Sequence, residues 1–407
     1  MPASEIRRTG AETPGAHLGI YTVRFGADPD QGSVPGPQEK HIPATPSPPA
    51  GGGAVRQKTA TARQTHSRNE DFTMDVGLLF DLRNPKDWKR PWADHYARSL
   101  EFCEEADRRG AGGLWFTEHH LFEDGYLPQP LTFAAAAAAR TRRARIGTSV
   151  VLPALRKPAQ LAEEAAIVDL VSGGRLELGM GAGYRVPEYD LMNTDFTRRF
   201  RRTEEHIREV RRLWEEDGVT PGPIQNPVPL WGGFYGPRGA RIAGRLGIGL
   251  LHISHELFPH YRQGLTEGGH DPATARVSGL LPIILADDPE KAWTHVAPCL
   301  AHQMNSYRQS SVEGTDKPRP PIIHPDEFRN RTSNTPWGAL KILTPAQAAT
   351  QIKETVKELP VQHLIFWASI AGMPDDLTTR NIQLITEELP PLLNPPQPPT
   401  PNHPPTP

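Results

Sequence analysis

Glu118, His119 and His120 close an apolar run in the stretch GGLWFTEHH, and side chains of these types can ligate a metal, move a proton or cap a strand. Adjacent residues on a strand point to opposite faces, so His119 and His120 do not converge on one ion. No HxH or HExxH spacing accompanies them, which argues against a metal centre. Two readings stay open: a buried, satisfied histidine pair, or acid/base or polarising work by one imidazole. A second cluster, GGFYGPRG (232–239), precedes ARIAGRLG. Its glycines, Gly233, Gly236 and Gly239, let backbone N–H groups converge around Tyr235. The helix N-terminus adds partial positive charge, and Arg238 can grip two phosphate oxygens in a forked geometry. This is a phosphate cup, or else a glycine turn needed only for backbone geometry. A third cluster, GMGAGYR (179–185), has the spacing G-x-G-x-G, which is not the dinucleotide fingerprint. Its Gly183 and Tyr184 sit where barrel strands carry glycines for close ligand approach. His252, Ser254 and His255 of HISHE are further polar candidates.

The elements that must position these residues alternate between strand and helix. DVGLLFDL (75–82) is a buried-strand run, and DHYARSLEFCEEADRRG (94–110) follows with Ala97, Leu100, Cys103 and Ala106 on one helical stripe, ending at Gly110. The pattern recurs through GGLWFTE, RIGTSVVLP, GRLELGMGAGY, VPLWGGF, GIGLLHIS, RVSGLLPIILA and VQHLIFWAS, nearly all separated by helices. PAQLAEEAAIVDLVSGG shows proline at a first turn and Gly173 and Gly174 as stop signals. Eight such alternations predict an α/β fold, a (β/α)8 TIM barrel, with an open doubly wound sheet as the alternative. In a barrel the carboxyl ends of the strands carry the chemistry, and the three clusters fall there. The stretch 309–340 is a long insertion before the last βα unit, a lid or binding loop if it is ordered.

Bulk properties exclude other classes. Of 407 residues 37% are hydrophobic, enough for a substantial core, and 45 Lys plus Arg against 47 Asp plus Glu give a net charge of −2, with no reason to expect nucleic acid or an anionic membrane as partner. The only cysteines, Cys103 and Cys299, cannot form a disulfide framework, which favours a reducing, cytoplasmic setting. Residues 1–73 are rich in Gly, Pro, Ser and Thr and lack apolar periodicity, so a disordered extension is expected there. A strand begins directly after Met74, so the upstream segment can be an artefact of start-codon choice; a native peptide from well before Met74 would overturn that expectation. HLGIYTV is too short for a signal core, and no apolar run approaches the roughly 20 residues of a membrane span. The proline-dominated tail, 394–407, cannot continue a helix or sheet, which assigns the folded domain to 74–393.

Taken together, LWFTEHHL, RIGTSVVLPALRKPAQLAEEAAIVDLVSGGRLELGMGAGY, EEHIREVRRLW and PLWGGF with ARIAGRLG resemble the bacterial luciferase-like flavin monooxygenases over nearly all of 74–393. The order and spacing of these segments are more specific than any one of them. The resemblance implies a TIM-type barrel that binds reduced FMN, or in a sister branch the deazaflavin F420, at the carboxyl rim. It implies that His119 matches the histidine important for chemistry on a flavin C4a-peroxide, that His120 matches the second histidine, and that Tyr235 to Gly239 match the phosphate-binding segment. One departure is Gln160, where the family has a basic phosphate ligand, which leaves Arg238 as the phosphate cation. The family's reactive cysteine near that helix has no counterpart, so light emission is not implied.

An FMNH2-dependent monooxygenase of this kind takes a small-molecule substrate, is fed by a separate flavin reductase and is commonly a homodimer. Its reactive flavin needs a dry wall, for which Phe80, Trp115, Val151, Leu152, Tyr184 and Trp367 are strand-end candidates. The alternatives are an F420-dependent oxidoreductase using hydride transfer without oxygen, whose acidic tail the run RRFRR (198–202) could meet, and a noncatalytic barrel subunit of a heteromer. The run RRFRR reads equally as a solvated helix start.

Overall fold

The first strand, β1 (Asp75–Phe80, DVGLLF), is buried from its second residue onward, as expected of a strand covered on both faces. The computed structural model describes residues 74–330 and 339–394, and all of these fall within one compact unit. After β1 come α1 (Trp92–Arg108), β2 (Gly113–Phe116), α2 (Pro130–Arg140), β3 (Arg145–Thr148), α3 (Pro158–Ser172), β4 (Leu176–Met180), α4 (Val186–Leu191) and α5 (Arg199–Glu215). The second half comprises β5 (Leu230–Gly232), α6 (Gly236–Arg245), β6 (Gly249–Leu250), α7 (Phe258–Glu267), β7 (Val277–Leu281), β8 (Ile283–Leu285), α8 (Pro289–Ser310), β9 (Lys341–Leu343), α9 (Pro345–Val356), β10 (Val361–Trp367), α10 (Asp375–Gln383) and α11 (Leu389–Leu393). Strands β1, β2, β3, β4, β5, β6, β7 and β10 close into a parallel barrel, with Leu78 opposite both Leu114 and Phe366 where β10 meets β1. The expected (β/α)8 barrel is the observed fold.

Local signals explain the element ends. Gly173 terminates α3 at φ 69°, a left-handed conformation that costs glycine little. Thr344 and Gln347 form a reciprocal capping box at the start of α9. One expectation needs correction: RVSGLLPIILA is not one strand. Pro282 has no N–H for the barrel ladder, so β7 ends before it. β8 leaves the barrel and pairs in parallel with β9, Ile283 opposite Lys341, in a separate two-stranded sheet. The insertion foreseen at 309–340 stands where expected, between the end of α8 at Ser310 and the start of β9 at Lys341. The expected disordered segment 1–73, the tail from 395 onward and residues 331–338 of the insertion lie outside the described residues.

The barrel interior is plugged by large side chains. Trp115 and Trp231 are fully buried, and His363 lies with its ring centroid 5.6 Å from each. Space for Trp115 comes from Gly147, where a Cβ would lie 2.3 Å from the indole. Burial pushes the His363 imidazole down to about 4, and Trp231 Nε1 donates to Glu177 Oε2 at 2.6 Å. Cys103 and Cys299 are free and buried. Among the described residues no helix is long and apolar enough to cross a membrane.

Candidate functional site

Strand parity on β2 and its extension separates the motif that ends it. Trp115 belongs to the cluster that includes the barrel interior, and Thr117 and His119, two and four residues on, line a cavity at the carboxyl rim. Leu114 and Phe116 point the other way, into the layer between sheet and helices. His120 follows their parity: it is buried, and its Nε2 donates to Glu118 Oε1 at 2.9 Å. The same Glu118 oxygen pairs with Arg156, while Oε2 accepts the Leu152 N–H at 2.8 Å. Glu118 and His120 thus brace the rim, and His119 faces the cavity.

A buried carboxylate orients His119. Glu188, on the short helix α4, places Oε1 2.8 Å from His119 Nδ1 and 3.0 Å from the His120 N–H. Burial alone would raise the Glu188 carboxyl, but the His119 hydrogen bond and charge, the His120 N–H and Arg185 hold it below the ordinary carboxylate value. A carboxylate only accepts, so Nδ1 of His119 carries the proton and Nε2 is the nitrogen left for a ligand. Arg185 is 3.3 Å from Glu188 Oε1 and also pairs with Glu313 beyond α8.

The cavity has a volume of about 270 Å³, near the lower edge of the roughly 300–1,000 Å³ usual for ligand clefts. One end is formed by the β5–α6 loop and the first turn of α5: Gly233 and Tyr235 with Arg199 and Phe200. The backbone at Gly233 approaches Val150 so closely that a Cβ would lie 2.3 Å from Cγ1. Arg199 and Arg238 both lie against the Phe200 ring, at 4.7 and 5.2 Å from its centroid. Burial, with the neighbouring Arg238 charge contributing, lowers the Arg199 pKa, and its buried Nε has no hydrogen-bond partner. Two cations, one with an orphan donor, meet there at the N-terminus of α6, an arrangement that calls for an anion. The other end is aromatic, with the ring centroids of Tyr126, Tyr184 and Tyr307 lying 4.7, 5.2 and 6.2 Å from that of His119. His252, also on the wall, is pushed down to about 4 by burial.

Residues 74–363 match the family model described as luciferase-like monooxygenase. The chain belongs to the luciferase-like monooxygenase family. One relative is an F420-dependent glucose-6-phosphate dehydrogenase of Amycolatopsis mediterranei, 34% identical over 38% of this chain and 53% of its own length. Another is the oxygenase component of a flavin-dependent trigonelline monooxygenase of Acinetobacter baylyi, 30% identical over 40% of this chain and 50% of its own. The chain spans about half the length of these curated relatives. The crystal structure of monooxygenase RslO1 from Streptomyces bottropensis shares the fold with a TM-score of 0.64 at 24% identity, covering 78% of this chain and 98% of that one. These relatives are oxidoreductases, and they divide between flavin and F420 dependence.

Set against this luciferase-like barrel, the sequence-predicted residues divide. Glu118, His119, Gly183, Tyr184, Gly233 and Tyr235 line the cavity, while Gly236, Arg238 and Gly239 form the first turn of α6 beside it. Gln160 is not brought in: it is exposed on α3 and donates to Glu164 at 2.8 Å. His120 is held behind the wall, His255 faces outward against the Thr355 carbonyl at 3.1 Å, and Ser254 accepts the Leu257 N–H at 3.2 Å. Of the proposed wall, Leu152, Tyr184 and Trp367 are present. Phe80 and Val151 are replaced by their neighbours Leu79 and Val150, and Trp115 lies deeper in the plug. Sequence reading missed Glu188, Arg199, Phe200 and Tyr307. The RRFRR run was the available signal for Arg199, read there as an F420 contact or a solvated helix start.

Proposed function

We propose that this protein is a flavin-dependent monooxygenase that uses reduced FMN and O2 to oxidise a small organic substrate. The observation that carries this reading is one cavity with two unlike ends, a phosphate cradle at Arg199, Arg238 and Gly233 and a buried histidine, His119, at the other. A flavin phosphate suits the first end on three counts: the orphan Arg199 Nε, the second guanidinium and the N-terminus of α6 beside them. When bound, reduced FMN supplies the electrons that activate O2. Arg199, Arg238 and the α6 N-terminus would hold its phosphate, and Val150, Leu251 and Trp367 offer apolar lining for the rest of the cofactor. His119 accepts or returns a proton at Nε2 while Glu188 fixes its ring and tautomer. The apolar wall keeps bulk water away from the reacting atoms.

In this reading the catalytic residue is His119, with Glu118 and His120 bracing the rim. The oxygenase-component description of the trigonelline relative supports a separate flavin reductase as partner. A homodimer in the cytoplasm completes the proposal. A second reading, F420-dependent hydride transfer without oxygen, draws on the F420-dependent relative and on the exposed Arg198, Arg201 and Arg202 beside Arg199, placed to meet an acidic tail. Purified protein titrated separately with reduced FMN and reduced F420, followed by oxygen uptake, decides between them. Tight binding of F420 alone transfers the assignment to hydride transfer, and tight binding of neither removes both.

A further inference from the structure

The aromatic end of the cavity is surrounded by charge that is already spent. Three guanidinium groups lie behind its wall, those of Arg83, Arg156 and Arg185, with side chains 0%, 8% and 2% exposed. Each is bracketed by two carboxylates. Arg83 lies between Asp81 and Asp124, at 4.0 and 3.2 Å; Arg156 is held by Glu118 and Glu164, and Arg185 by Glu188 and Glu313. Arg83 is also caged by the rings of Phe122, Tyr126 and Tyr307, at 4.9, 4.6 and 4.8 Å, so Tyr126 and Tyr307 stand between it and the cavity they line. Arg83 Nε and Nη1 and Arg185 Nε have no hydrogen-bond partner, but among the described residues none of the three arginines lines the cavity, so an anionic substrate at this end meets ion-paired guanidiniums only through the wall, with carboxylates outnumbering them.

A cation fares no better. Glu118 is the one carboxylate residue on the wall, and both its oxygens are engaged, Oε1 by Arg156 and His120 and Oε2 by the Leu152 N–H. Arg83 already occupies the rear of the Tyr126 and Tyr307 rings, which weakens their attraction for a second cation. What faces a substrate is Leu79, Leu280, Tyr126, Tyr184 and Tyr307, with the neutral Thr117 and with His119 among them. A charged group buried against such a wall loses its hydration without gaining a partner.

Resting on the cofactor site proposed above, we infer that the substrate is an uncharged, largely apolar molecule with a neutral oxygen function directed at His119, and that sugar phosphates and ammonium compounds are excluded. A matched trio of probes isolates charge from size: benzyl alcohol, benzoate and benzylammonium. Titrated calorimetrically into the FMN-loaded protein, benzyl alcohol is expected to bind at least about tenfold more tightly than either ion. Leu280→Arg places an unpaired cation on the wall, and in that variant benzoate is expected to overtake benzyl alcohol. Equal or tighter binding of either ion by the unmodified protein overturns the inference, as does binding of none of the three or an unchanged order in a folded Leu280→Arg variant. Failure of the cofactor reading shows separately, as loss of FMN binding. The trio is then compared on the F420-loaded and cofactor-free forms, where the same order supports the inference and its absence overturns it.

Discussion

Replacing Arg199 by Gln removes one positive charge from the phosphate end while keeping a side chain long enough to cover Phe200. Arg199 is partly buried, its Nε has no partner, and NH1 donates to the Phe196 carbonyl at 3.2 Å, so the guanidinium is held in place before a ligand arrives. A hydrogen bond to a charged group is worth about 1.5–3 kcal/mol, and at 1.4 kcal/mol per decade this predicts FMN binding weakened roughly 10- to 150-fold. Riboflavin carries the same ring without the phosphate and isolates the effect. Fluorescence titrations should show the loss for FMN, riboflavin affinity within about twofold of the parent, and a shallower salt dependence of FMN binding. Arg238 lies against the same Phe200 ring, so losses in the double variant should not add. An equal loss for riboflavin, or none for FMN, would refute the placement of the phosphate.

His119→Ala should leave FMN affinity within about threefold while slowing product formation by roughly 10²–10⁴, the span of acid/base contributions, measured in single turnovers with a substrate in hand. Glu188→Gln retains the shape but frees the His119 ring, so a rate loss of roughly 10- to 100-fold is expected, with a changed pH–rate profile and partial recovery in Glu188→Asp; an unchanged profile counts against a positioning role. Arg83→Leu removes the guanidinium between Asp81 and Asp124, leaving Asp124 with His302 and Asp81 with the residue-83 N–H, and should cost about 3 kcal/mol in urea unfolding. His252 is held at about 4, so the unfolded chain takes up a proton that the folded one refuses; its contribution is present above pH 6.5 and is lost as pH falls toward 4, and His252→Phe should flatten that limb of the cofactor-free Tm profile.

The barrel was readable because each βα unit carries its own signals within about 40 residues: buried runs, a helical stripe at α1 and glycine stops after α3. Side-chain sidedness was harder. The strand ends point to Phe80 and Val151 as wall residues, yet Leu79 and Val150 line the cavity, because period-2 alternation makes an error of one residue an error of face. The split at Pro282 was visible as a missing donor, but the pairing of β8 with β9 depends on a chain return about 60 residues later that no local pattern announces.

The two ends of the cavity differ in the same way. The phosphate loop is one contiguous segment, and its glycines and following helix state its purpose locally. Even there Arg199 was missed as a phosphate ligand, because it reaches the loop only when the first turn of α5 packs beside α6. The inner end is assembled from pairs distant in sequence: His119 with Glu188 across 69 residues, Tyr126 with Tyr307 across 181, Arg185 with Glu313 across 128. Each pair is brought together only by tertiary packing, so a count of charged residues along the chain gives no hint that Arg185 is matched by Glu313 and Glu188 behind this wall. A substitution at the phosphate end should therefore register as a difference between FMN and riboflavin, and one at the inner end as a change in pH profile or in the order of charged and neutral probes. A variant that moved both readouts together would show that the two ends are not independent, and that the cavity acts as one site rather than as a cofactor seat joined to a substrate pocket.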